Sequence, residues 1–438
     1  VETLASSGDG LCRHEGYTVF TPGGLPGDRV RGKMIRITPR FGVLDIFERT
    51  ELSKDRVDPP CSVFFKCGGC KFQDLNYEKQ LEFKTQVVRD NLSRIGGVEL
   101  PEKIETLAAE KQYQYRNKAS FAVQGKTSDP QIGFYSEGSH KVADSPTCDI
   151  LPEPINKAKE WLREILKKNQ ISVYNEGNHR GLLRGLVIRH SESTGEILVG
   201  MITNEGRFPR NFLVELTEEK KLKEIGIVGI IQNINPRATN VILGKENKLL
   251  WGKERLTDKL AGLSFHLSLG SFFQIHSAQT LRLYDLIDNW ANAAGDKTVV
   301  DAYSGSGGIA LWLAAKGKKV IAIEQFKPAM DDARLSAKTN GITSCQFLAG
   351  SVEEHAPQVV SEEKVHTFII DPPRKGCSES VIKTLLKSQP EQIIYVSCNP
   401  STLARDLERL EGYKIHDMRV IDMFPQTQHI ETAVYLKK

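Results

Sequence analysis

No run of this sequence stays apolar long enough to cross a bilayer as a helix, and the opening VETLASSGDG has neither the basic nor the apolar segment of a secretion signal. Membrane-spanning and exported classes are set aside, and a soluble, cytoplasmic protein is expected. Excess charge is also scarce: 59 Lys and Arg against 55 Asp and Glu leave a net of +4. That balance permits a nucleic-acid partner without arguing for one. Fixed-period repeats and low-complexity tracts are missing, which excludes solenoids and disordered arrays. There is no disulfide framework either, because eight cysteines in 438 residues without an export signal belong where thiols stay reduced. Each cysteine therefore needs another reason to be there. The dinucleotide fingerprint G-x-G-x-x-G is absent from the glycine turn YSGSGGIA, where it would be sought.

What is present is an ordinary globular composition, 39% hydrophobic and 26% charged, in a chain long enough for two or three domains. Residues 1–50 alternate β-favouring runs (GYTVF, RVRGKMIRI, FGVLDIF) with glycine and proline turns, the pattern of a small β-barrel. Residues 75–95 place Leu75, Leu81, Val87, Val88, Leu92 and Ile95 at helical spacing until Gly96 and Gly97 stop the helix. Short strands then run to about residue 270, a mainly antiparallel β region with one helix near INKAKEWLREILKK. Beyond it strand, glycine turn and helix alternate, which predicts an α/β doubly wound, mostly parallel sheet over 271–438.

Four predicted strands of that last region end in residues able to do chemistry. Asp301 closes TVVD ahead of a turn in which Gly305, Gly307 and Gly308 let a ligand approach the backbone at a helix start. Glu324 closes KVIAIE about twenty residues after the loop, where a carboxylate accepts both ribose hydroxyls, a device of S-adenosylmethionine and NAD enzymes alike. HTFIIDPPRKG ends at Asp371 before a rigid Pro-Pro turn that can hold a planar base. YVSCNPSTLARD puts Cys398 between an apolar strand and a helix. Singly, these read as turn punctuation, loop stiffening and a small buried hydrophobe. Together at the carboxyl edge of one sheet, where open α/β folds bind ligands, they point to one site. Separately, Cys61, Cys67 and Cys70 in C-x5-C-G-G-C and the distant Cys148 supply four thiolates, enough for zinc or an iron-sulfur cluster, and spacing alone does not choose.

In that order, DAYSGSGGIA, DPPRKG, YVSCNPSTLARD and MFPQTQHIET resemble the motifs of the bacterial S-adenosylmethionine-dependent RNA (uracil-5-)-methyltransferases, nearest to the branch that modifies 23S ribosomal RNA. The similarity runs over essentially the whole chain. VETLASSGDGLCRHEGYTVFTPGGLPGDRV resembles their TRAM domain, an RNA-binding β-barrel, and FKCGGCKFQDLNYEKQL their iron-sulfur segment. The resemblance implies a Rossmann-like methyltransferase domain at 271–438, a central domain at 51–270 with the cluster and an RNA-binding surface, and a TRAM-like barrel at 1–50. It implies cofactor contacts at Gln274, Tyr303, Glu324, Ser351 and Asp371, a nucleophile at Cys398, a base at Glu431, for which His429 is a nearby alternative, and a [4Fe-4S] cluster on Cys61, Cys67, Cys70 and Cys148. Two positions depart from the family pattern: His276 stands where an Asn is common, and Gly308 where a polar residue is common. The implied partner is RNA, ribosomal before transfer RNA, with the protein a monomer. Arg116, Lys118, Arg180, Arg184 and Arg189 are the candidate phosphate contacts.

The chemistry agrees with the motifs. Carbon 5 of uracil is a poor nucleophile until a thiolate adds to carbon 6 and makes an enolate of the ring, which is covalent catalysis. Cysteine suits this because a modest lowering of its pKa supplies the thiolate. The carbon-5 proton must then be removed by a base. Other readings are methylation of the transfer RNA T-loop, RNA cytosine-5 methylation, and a non-catalytic RNA-binding protein on the same fold. Cytosine enzymes carry Thr-Cys and Pro-Cys where this chain has Ser-Cys398 and Pro-Pro, with Cys377 further on. Amino-group methylases favour an aromatic residue at Arg374. The intact Cys398 and Glu431 argue against a non-catalytic protein.

Overall fold

Near-continuous apolar strands such as Gln392–Ser397 and Glu431–Lys437 can be stable only when covered on both faces, and they form the middle of an eight-stranded sheet. In the computed structural model, which describes residues 1–239, 241–291 and 297–438, its order is Cys345–Ala349, Lys319–Glu324, Thr298–Ala302, Val365–Ile370, Gln392–Ser397, Glu431–Lys437, Lys414–Ile421 and Glu105–Leu107. The first five strands are parallel. Glu431–Lys437 runs antiparallel to both its neighbours, and Glu105–Leu107 joins the far edge parallel to Lys414–Ile421. Three further sheets are present among the described residues, one of them the antiparallel pair Arg255–Leu260 and Leu263–Ser268. Thr3–Leu4 to Phe41–Glu51 form a five-stranded, mostly antiparallel sheet. Seven strands between Lys118 and Gly252 form the central sheet, antiparallel except where Ile197–Thr203 pairs with Ile227–Ile234. Helix Glu153–Lys168 covers one face of it with Ile155, Trp161, Leu162 and Ile165. Among the described residues no helix is long and apolar enough to cross a membrane.

The α/β layer draws on sequence well ahead of residue 271. Strand Glu105–Leu107 and helix Tyr77–Arg94 both belong to it, the helix burying Val88 and Leu92 in the same core as Leu403 and Ala404 of helix Pro400–Arg409. The same helix buries two polar residues, Gln80 and Lys84, at helical spacing with that stripe. Lys84 Nζ lies 2.6 Å from Asp422 Oδ1, both side chains fully buried, and also donates to the Phe424 carbonyl at 2.9 Å. Tyr77 donates to the other Asp422 oxygen at 2.7 Å. Gln80 donates to the Phe72 and Leu75 carbonyls and exchanges hydrogen bonds with Gln426 through its own amide oxygen and nitrogen. Every group in this network has a partner, the condition under which buried polar atoms fix a conformation. What it fixes is the 422–430 loop, in which Gln426 holds a left-handed backbone (φ 69°), just before Glu431.

Breaking one side of the pair tests this clamp. Lys84→Met leaves Asp422 buried without its cation and is expected to lose about 3–5 kcal/mol of stability in chemical denaturation, while adding Asp422→Asn recovers a large part.

Candidate active site

Strand register alone brings together the two positions expected to be nucleophile and base. Ser397 pairs with Thr432 in the antiparallel pair, so the next residues outward, Cys398 and Glu431, stand opposite each other where the strands part. Ile370 pairs with Tyr395 on the other flank, which sets Asp371 beside the same corner. Glu431 is 3% exposed and Cys398 half-buried.

The charges in this corner oppose one another. Burial, reinforced by Asp371, pushes the Glu431 carboxyl well above its usual range, and burial pushes Asp371 up as well. The Cys398 thiol is pushed up to about 11, by burial first and then by Glu431 and Asp371, with Arg374 the one opposing charge. The expectation of a lowered thiol pKa is therefore corrected: two carboxylates beside a half-dry sulfur make a resting thiolate costly. Arg374 approaches His429 Nδ1 at 3.2 Å, and burial with this guanidinium brings the imidazole down to about 4. His429 is thus a neutral ring with one nitrogen already engaged, a poor substitute for Glu431 as base.

The polar residues of NPSTLARD hold the DPPRKG turn. Asn399 Nδ2 and Thr402 Oγ1 donate to the Arg374 carbonyl at 2.9 and 3.3 Å, and Arg405 donates to the Lys375 carbonyl at 3.0 Å. Asp406 accepts from the Cys377 amide at 2.8 Å and the Tyr395 hydroxyl at 2.7 Å. Gly376 has φ +74°, and a Cβ there would overlap Asp406 and Arg405. Cys377 is buried within this network, among Tyr395, Asp406 and Arg405. Sequence reading treated the motif as a frame for Cys398 and missed that it is equally a lock for Arg374.

On the other side of Asp371 lies a small pocket of about 20 Å³ formed by Phe272–Gln274, Tyr284, Asp301, the 303–309 turn and Asp371. Gln274 and Tyr303 of the expected contacts line it, Tyr303 with a left-handed φ of 65° that a bulky residue adopts only under constraint. Glu324 is pinned by the Gly305 amide at 3.0 Å and the Phe326 amide at 2.6 Å, one on each oxygen, which leaves a lone pair on each for a diol. Ser351 caps helix Val352–Glu362 in a reciprocal arrangement with Glu354, so its hydroxyl and amide are both engaged. His276 is 1% exposed, stacks on Tyr115 at 4.8 Å and bonds the Lys111 carbonyl at 2.9 Å. The histidine fastens the pocket to residues 111–115 instead of facing a ligand.

Comparison with known proteins decides what this corner belongs to. A family described as tRNA (uracil-5-)-methyltransferase matches residues 233–438. Proteins described as uncharacterized RNA methyltransferases from Halalkalibacterium halodurans and Listeria monocytogenes are 38% and 39% identical, each alignment covering 100% of this chain and 96% of the relative. The chain belongs to the RNA (uracil-5-)-methyltransferase family. Its members use S-adenosylmethionine, and RNA is the substrate the family implies. The crystal structure of the Pyrococcus abyssi tRNA (uracil-54, C5)-methyltransferase in complex with S-adenosyl-L-homocysteine superposes with a TM-score of 0.82 at 29% identity, over 100% of this chain and 99% of that one.

The uracil-5 methyltransferase carries its four early cysteines on one cavity of about 200 Å³, lined by Cys61, Cys67, Cys70 and Cys148 and reaching Arg116 and His429. The Gly69 amide points to Cys67 Sγ at 3.4 Å. The amides of Lys71 and Phe72, directly after the last cysteine of the cluster motif, both donate to the Gln426 carbonyl at 3.0 Å. Among the described residues no three Cys, His, Asp or Glu side chains converge closely enough to hold a single metal ion. The candidate phosphate contacts do not all stand. Arg189 is 2% exposed and spends its guanidinium on the Ser268 and Ser271 carbonyls, so it braces the core instead of meeting RNA. Burial beside Arg189 and Arg116 brings Lys118 down to about 7. Arg184 stacks on Tyr174 at 4.4 Å, and Arg180 remains exposed.

Proposed function

We propose that this enzyme methylates carbon 5 of a uridine in RNA with Cys398 as nucleophile and Glu431 as the base that takes the carbon-5 proton. The reading is carried by the juxtaposition of Cys398 and Glu431 at the end of paired strands, beside the pocket that contains Gln274, Tyr303 and Asp371. When bound, S-adenosylmethionine would supply the methyl group for carbon 5, held by the residues of this pocket. Asp371 takes the thiol proton as sulfur bonds to carbon 6, and that proton passes to solvent. Glu431 gives its proton to solvent before the base step and is protonated again from solvent as the site resets. In the base step it removes the carbon-5 proton and returns it to sulfur as the carbon–sulfur bond breaks. One proton is released per turnover, as the overall reaction requires. Arg374 lies where it offsets charge on sulfur, and Glu324 where it holds the ribose. Ser351 flanks the adenine side by position.

We further propose that Cys61, Cys67, Cys70 and Cys148 hold a [4Fe-4S] cluster. Four thiols line one cavity, enough for a cubane or a zinc ion, and the resemblance of FKCGGCKFQDLNYEKQL to the family's iron-sulfur segment favours the cubane. Its place is structural, since the cysteine segment bonds the loop ahead of Glu431. The 1–50 sheet is assigned as a TRAM-like RNA-binding unit and 51–270 as the central RNA-binding domain, which lends its 77–107 stretch to the catalytic domain at 271–438. The target assigned is 23S ribosomal RNA, on the resemblance of the motifs. The family description and the likeness to a tRNA enzyme favour a transfer RNA uridine as the second reading.

Protein purified without oxygen should be brown with about four irons per chain; colourless protein with stoichiometric zinc contradicts the cluster. Cys398→Ala should form neither product nor adduct with total RNA. Glu431→Gln should stay joined to methylated RNA on a denaturing gel, and the RNA in that band, 23S or transfer RNA, names the target. Normal turnover by Glu431→Gln overturns its role.

A further inference from the structure

Gly308 poses a question that backbone geometry does not answer. It is the first residue of helix Gly308–Ala315 and buried, and unlike Gly305 and Gly307 it has no positive φ that would exclude a side chain. The obstacle is Tyr284. A Cβ built on Gly308 would overlap the Tyr284 hydroxyl oxygen and come within 2.9 Å of its Cζ. Tyr284 reaches this place from helix Ser277–Trp290, 3% exposed, and its hydroxyl enters the cofactor pocket among Gln274, Asp301, Tyr303 and Asp371. Burial and the charges of Asp301 and Asp371 hold its pKa well above the ordinary phenol value, so it stays a neutral group able to donate.

Beside it is a second anomaly. Asp301 is fully buried, and both of its carboxylate oxygens lack a hydrogen-bond partner among the described residues; the Ala310 amide lies near without the geometry of a bond. A buried, unpartnered carboxylate is costly unless a cation or donor completes it. The pocket therefore offers an acceptor in Asp301, the amides at a helix start and a phenolic hydroxyl, all within a few side chains. That is the complement of a zwitterionic amino acid, whose ammonium suits the carboxylate and whose carboxylate suits the amides. Glu324, across the glycine turn, is left for the ribose.

We propose that Tyr284 is a cofactor-binding residue, its hydroxyl standing in for a side chain at position 308 and binding the amino-acid end of S-adenosylmethionine. The proposal rests on the reading of this pocket as the cofactor site. It explains why Gly308 carries no side chain: the polar group comes from the neighbouring helix instead, and the glycine makes room for it.

The test compares two ligands by calorimetry, S-adenosylhomocysteine and 5′-methylthioadenosine, which keeps the adenosine and sulfur but has no amino-acid end. Tyr284→Phe removes one oxygen and should weaken S-adenosylhomocysteine roughly tenfold or more while leaving methylthioadenosine unchanged. Gly308→Ala, which displaces the hydroxyl without removing it, should show the same selective loss. Unchanged S-adenosylhomocysteine binding in either variant overturns the proposal, and so does an equal loss for both ligands, which marks a purely structural role. Glu324→Ala should weaken both ligands together. If it weakens neither, the reading of the pocket fails on its own account, separately from Tyr284.

Discussion

Two carboxylates and a half-buried thiol are held in one corner, and much of the surrounding structure serves to keep them there. Asp371 adds to the raised proton affinity of Glu431, and both add to that of Cys398, each on top of burial. Left to themselves, such groups would swing apart or draw in solvent, because like charges in a dry site repel strongly. Each is tied by a different device. Cys398 and Glu431 are set by the register of the central antiparallel pair, Asp371 by the strand that flanks it, and the backbone of Arg374 by Asn399 and Thr402 of NPSTLARD. The loop ahead of Glu431 is clamped by Lys84, Gln80 and the segment that follows Cys70. The motifs are physically one object: the residues that look catalytic and those that look like spacers form a single hydrogen-bonded frame.

The link from Lys71 and Phe72 to Gln426 gives the cysteine segment a role in this frame that asks for no electron transfer. If the four thiols are gathered by a cluster, the backbone that follows Cys70 is fixed, and with it the turn that aims Glu431. His429 belongs to both places, bordering the thiol cavity while accepting from Arg374. The cavity and the catalytic corner are thus adjacent.

Strand ends were the most legible feature of the sequence, because apolar runs stopped by Asp301, Glu324, Asp371 and Cys398 mark the carboxyl edge of an α/β sheet wherever they occur. The helix at 75–95 was legible as a helix, running over Tyr77–Arg94, but not its destination, since Gln426 and Asp422, which Gln80 and Lys84 bond, lie more than three hundred residues away. Lys84 itself gives no sign in sequence that it is buried. Arg189 read as a surface cation for the same reason: whether an arginine faces solvent or two carbonyls depends on the fold around it. The direction of the Cys398 shift was missed because composition near the cysteine shows one arginine, while the two carboxylates arrive from strands 27 and 33 residues distant. Gly308 could be noticed as a departure, and its cause, a tyrosine from another helix, could not.

The central claim is that the resting enzyme keeps Cys398 as a thiol, its proton affinity raised by burial first and then by Glu431 and Asp371. The most direct test follows the alkylation of Cys398 by iodoacetamide against pH in RNA-free enzyme, with the modified peptide quantified by mass spectrometry. The account predicts a rate still climbing well above the ordinary cysteine range, toward an apparent pKa of about 11, and a lower apparent pKa in Glu431→Gln because a neighbouring negative charge is gone. A rate already on its plateau at neutral pH, unchanged in Glu431→Gln, would contradict it and mean a preformed thiolate instead.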